Sequence, residues 1–67
     1  MPTIHLNGRA CDLHEQTSVA ALLEANGYAH RAVAVEINRE IVPRSTHAEH
    51  FVRDGDKVEI VEAMGGG

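Results

Sequence analysis

Only one stretch of this chain, TSVAALLEANG from Thr17 to Gly27, carries an apolar period suited to a helix of any length. Val19, Leu22 and Leu23 fall at i, i+3 and i+4, one face of about two and a half turns. Thr17 offers a hydroxyl to cap its start, and Gly27 offers the left-handed residue that ends it. Alanines 20, 21 and 25 raise the helical propensity between them. A single helix covers one face of a sheet and leaves the other bare, so the rest of the chain must supply a one-sided sheet.

The flanking segments read as strands. In TIHLNGRACDL, Ile4 and Leu6 alternate with polar residues, Asn7-Gly8 gives a type I′ turn, and Cys11 and Leu13 alternate on the way back. Val33, Val35 and Ile37 alternate in VAVEIN, and EIVPR follows as a short edge segment stopped by Pro43, which has no ladder donor. The stretch STHAEHF suits a single helical turn capped by Ser45. Asp54-Gly55 then turns the chain into a last strand with Val58 and Ile60 facing inward. A hairpin, a crossover helix and returning strands make an α+β domain of the β-grasp, ubiquitin-like kind. A mixed sheet of four to five strands packs on one main helix, with the first and last strands parallel at its centre. The domain spans residues 1–64, and residues 65–67 form a flexible glycine tail.

With 67 residues, the chain has room for one core and buries only about 60% of its extended surface. Ten acidic against 6 basic residues, a formal charge of −4, disfavour nucleic acid and anionic membranes and favour a basic protein surface. Cys11 is the single cysteine, so no internal disulfide forms, which fits a reducing compartment. The N-terminus lacks the basic start and apolar run of a signal peptide, and no apolar stretch approaches the ~20 residues of a membrane span. A soluble cytoplasmic domain is expected.

Catalytic patterns are absent from the sequence: no Ser/His/Asp or Cys/His arrangement and no phosphate loop stands out, so the chain is not expected to be an enzyme. His47 and His50, three apart with Glu49 between them, have the spacing of a metal pair, but five scattered histidines make such a pair common by chance. They read as solvated residues on a short connection, and no metal site is expected. Cys11 lies on the inward face with no cation beside it, which makes it a packing residue rather than a reactive thiol. Phe51 also reads as core.

The chain closes on VEAMGGG. A flexible tip on a rigid strand can enter a partner's site without disturbing the fold. Residues without a Cβ thread a narrow channel best, held extended by backbone hydrogen bonds. A terminal carboxylate so delivered can attack the α-phosphate of ATP, and the resulting acyl-adenylate is open to a sulfur nucleophile.

The whole chain resembles the ThiS family of sulfur carriers of thiamine biosynthesis. The resemblance rests on the length, TSVAALLEANG, VAVEINREIVPR with Val42-Pro43-Arg44, DGDKVEIVEA and the glycine end. His47 stands near a position where the family often has an aromatic residue. The family's terminal Gly-Gly corresponds to Gly66 and Gly67. The resemblance implies that an adenylating enzyme of the ubiquitin-activating type, using ATP and magnesium, activates Gly67. A cysteine desulfurase then supplies sulfur, and the Gly67 thiocarboxylate donates it to thiazole synthase. No cofactor is bound by the chain itself. Rival readings are the small subunit of molybdopterin synthase, a ubiquitin-like protein modifier, and an interaction domain with incidental glycines. Gly65, Gly66 and Gly67 are expected to thread into partner sites. Ala34, Val61 and Ala63 on the bare sheet face are candidates for docking, joined by Met64 at the tail's base and by Arg44.

Overall fold

The computed structural model describes residues 2–62. The chain runs through β1 (Thr3–Leu6), β2 (Arg9–Asp12), α1 (Val19–Ala25), β3 (Val33–Ile37), β4 (Glu40–Ile41), a 3-10 turn (Arg44–Thr46) and β5 (Lys57–Glu62). Among the described residues the strands form one five-stranded sheet in the order β2-β1-β5-β3-β4. β1 and β5 are parallel, with His5 opposite Lys57 and Leu6 opposite Val58, while the other pairings are antiparallel. This is the β-grasp, with the last strand at its centre.

Turn chemistry explains the two hairpins. Asn7 and Gly8 have φ of 49° and 85°, the left-handed pair that a type I′ turn requires. The β3–β4 turn uses the same geometry at Asn38 and Arg39, φ 53° and 72°, without a glycine. Asn38 offsets that strain with its side chain: Oδ1 accepts from the Lys57 amide and Nδ2 donates to Asp56, each at 3.0 Å. The turn is thereby tied to the start of β5.

Helix α1 lays Val19, Leu22 and Leu23 on the sheet, where they meet Ile4, Val35, Val58 and Ile60 in one aliphatic core. Cys11 and Leu13 are half-buried against it, as their alternation predicts. Ser18, not Thr17, caps the helix: its Oγ accepts from the Ala21 amide at 3.0 Å. The Thr17 hydroxyl instead donates to the Glu15 carbonyl, and the Thr17 carbonyl takes the Val52 amide, which keeps Thr17 one residue outside the helix. Gly27 does end the helix in the left-handed region, φ 83°.

The connection from β4 to β5 departs most from the sequence reading. Its 3-10 turn begins at Arg44, preceded by Pro43, with no side-chain cap from Ser45. His47 is buried rather than solvated, 7% exposed, and its Nε2 lies 3.0 Å from the Val42 carbonyl. A carbonyl only accepts, so Nε2 carries the proton. The His47 carbonyl in turn accepts the Ala20 amide in the first turn of α1. Phe51, expected in the core, is 43% exposed, because its backbone bridges to Ser18 and Val52 takes the inward place.

Candidate functional site

Strand β5 carries the chain toward its glycine end, so the surroundings of its last described residues decide what a partner meets. Period-two alternation divides them. Val58 and Ile60 face α1 and are buried, whereas Glu59 and Val61 face away from it and are exposed. On the bare face Ala34 lies directly opposite Val61, and Glu36 directly opposite Glu59. Ile41 stands across from Glu36 on the far side. With Val61 55% and Ile41 63% exposed, this face offers apolar surface around two carboxylates.

The root of the glycine segment is held on both edges. On the β3 side, Val33 pairs with Glu62. On the other side β1 ends at Leu6, opposite Val58, so β5 outruns its parallel neighbour. The Asn7 side chain continues the pairing, its Oδ1 accepting the Ile60 amide at 2.8 Å. Arg31 adds an ion pair to Glu62, and its guanidinium sits 5.9 Å from the Tyr28 ring centre. The strand is thus paired on its β3 edge up to Glu62 and on its other edge up to Ile60.

Of the candidate residues, Ala34 and Val61 form one cross-strand pair on the bare face. Arg44 does not join them. It lies exposed on the 3-10 turn and borders a groove with Leu23, Tyr28 and Val33, on the helix side of the sheet. Ala63, Met64, Gly65, Gly66 and Gly67 lie outside the described residues. The sequence reading passed over Asn7 as a β5 partner, Arg31 as the partner of Glu62, and the opposed glutamates. The turn signal at Asn7 was visible, but its bond to Ile60 spans 53 positions and needs the parallel register. Among the described residues, no group of three or more His, Cys, Asp and Glu is placed to hold a metal ion, and no helix is long and apolar enough to cross a membrane.

Comparison with known proteins gives this geometry a family. A sequence model of the ThiS family matches residues 4–67. The sulfur carrier protein ThiS of Escherichia coli is 34% identical over 64 residues, 96% of this chain and 97% of that protein. A thiazole synthase of Paramagnetospirillum magneticum is 48% identical over 62 residues, 92% of this chain but 19% of that protein, so the chain spans only about a fifth of that relative's length. Among solved structures, the crystal structure of the thiamine biosynthesis protein ThiS from Geobacter metallireducens superposes with a TM-score of 0.82 at 35% identity. It covers 97% of this chain and 99% of the other.

Proposed function

The chain belongs to the ThiS family, and from that premise we propose that it is a sulfur carrier of thiamine biosynthesis whose working atom is in the Gly67 carboxylate. One observation carries the reading: the family match runs through the strand root and on to Gly67. The chain acts as a co-substrate of other enzymes and supplies no catalytic group of its own.

The Gly67 carboxylate oxygen attacks the α-phosphorus of ATP in a magnesium-dependent adenylating enzyme, and pyrophosphate leaves. The terminal sulfur of a persulfide, made by a cysteine desulfurase, attacks the acyl-adenylate and expels AMP. A thiol then cleaves the S–S bond, leaving a thiocarboxylate at Gly67 and a disulfide. Thiazole synthase takes the sulfur and the carrier returns for another round. The likeness to part of a protein named thiazole synthase supports that acceptor, since there a similar stretch shares one chain with the rest of that protein. In this reading residues 65–67 thread into the partner's channel, while Ala34, Val61, Ala63 and Met64 dock beside its mouth. A docked surface next to the tail raises the tail's effective concentration at the channel.

The test is intact mass spectrometry after incubation with the adenylating enzyme of the thiamine pathway, ATP, magnesium and a persulfide donor. One oxygen is expected to be replaced by sulfur in the intact chain and in no molecule lacking Gly67, whose deletion leaves the melting curve unchanged. An unchanged mass with an enzyme active on its own carrier rejects the thiamine assignment. A cooperative loss of folding on deleting Gly67 rejects the free tail.

A further inference from the structure

A second surface lies on the helix side of the sheet, against the root of β5. The end of α1, the loop after it and the 3-10 turn enclose a groove of about 270 Å³. Its charged lining is two guanidiniums, Arg31 and Arg44, beside the imidazoles of His30 and His47, with no carboxylate among the lining residues. In a chain of net charge −4, two guanidiniums share this groove, Arg31 paired with Glu62 and Arg44 exposed. Leu23, Tyr28 and Val33 give the groove an apolar floor.

These four side chains are fixed to different degrees. His47 forms an inner wall, its imidazole tied to the Val42 carbonyl. Arg31 is positioned by Glu62 and by the Tyr28 ring, and one ion pair leaves most of its five donors for another acceptor. His30 is held with φ at 64°, an uncommon backbone state outside glycine, within the same loop. Arg44 is exposed and bonded to no acid among the described residues. The groove is continuous with the strand root, since Arg31 grips Glu62 and Val33 pairs with it.

We propose that this groove is a docking site for an acidic segment of the adenylating enzyme. A partner that encloses the tail must surround the end of β5, and so meets both faces of the sheet. The bare face offers it Glu36 and Glu59; the groove offers Arg31 and Arg44. Partner carboxylates pair with the two guanidiniums, and an apolar side chain beside them rests on Leu23 and Tyr28. Glu36 and Glu59 on one side and the exposed Arg44 on the other fix which way round the carrier enters, the usual role of charge at an interface. The proposal rests on the sulfur-carrier reading and deepens it.

The test compares the intact chain with Arg44→Glu and Arg44→Gln in binding to the adenylating enzyme of the thiamine pathway, at low and high salt. Arg44→Glu is expected to weaken binding by about tenfold or more, Arg44→Gln by less, and both to flatten the salt dependence. Melting curves stay unchanged, because the Arg44 side chain is exposed. In an Arg44→Lys chain, a carbodiimide is expected to couple the new amine to an aspartate or glutamate of the enzyme. Wild-type affinity in Arg44→Glu, with wild-type melting, overturns the groove and leaves the carrier function standing. Failure of the wild-type chain to bind overturns both. Binding that is sensitive to Arg44 without any sulfur gain rejects the function and keeps the groove.

Discussion

Glu36 on β3 and Glu59 on β5 occupy directly opposed positions on the bare face of the sheet. Like charges so placed destabilise a strand pair, because their Cβ atoms stand about 5 Å apart. Glu59→Gln is therefore expected to raise unfolding free energy by about 0.5 kcal/mol in urea titration. The same substitution is expected to weaken binding to the adenylating enzyme, since docking would supply the missing counter-charge. A destabilised variant would mean that the pair is not in repulsion.

Asn7 has two duties that can be separated. It holds a left-handed turn position, and its side chain accepts the Ile60 amide. Asn7→Gly keeps the first and removes the second, at an expected cost of about 1 kcal/mol, with faster hydrogen exchange at Ile60. Asn7→Ala removes both and costs about 2 kcal/mol, as the left-handed residue is then strained as well. Equal costs for the two variants would show that the side-chain bond alone matters.

His47→Ala leaves the Val42 carbonyl without its imidazole partner and empties a buried place. We expect a loss of about 2–3 kcal/mol, seen as a lower urea midpoint at unchanged slope. A loss below about 0.5 kcal/mol would place water on that carbonyl instead.

The Arg31–Glu62 pair joins side chains that are 53% and 43% exposed. Solvent screens such a pair, so a double-mutant cycle with Arg31→Ala and Glu62→Ala is expected to give a coupling of no more than about 0.5 kcal/mol. A coupling several times larger would make Arg31 a structural clamp on β5 and weaken its assignment to partner binding.

The strand pattern, the glycine end of the helix and the order of elements were legible because each depends on neighbours within a few positions. Period-two alternation set Val58 and Ile60 inward and Val61 outward, and Asn7-Gly8 marked its turn. The misses cluster where local signals compete. Thr17 and Ser18 are both good caps, and the backbone bond from Val52 to Thr17 decides between them. Phe51 and Val52 are both apolar, and the bridge to Ser18 turns the larger one outward. His47 is polar by type, yet a carbonyl five residues earlier pairs it inside.

By itself the sequence determined that one helix must cover one face of a sheet and leave the other bare. Residue type and spacing suffice for that, because apolar side chains at a helical or strand period have only one way to leave water together. The tertiary structure alone decided which charges meet. Parallel pairing of β1 with β5 and antiparallel pairing of β3 with β5 put Asn7 on Ile60 and Glu36 against Glu59. Packing the 3-10 turn beside α1 gathered Arg31 and Arg44 into one groove. Electrostatic contacts act over a few ångströms between residues far apart in the chain, and register, which a single shifted residue would reverse, sets those distances.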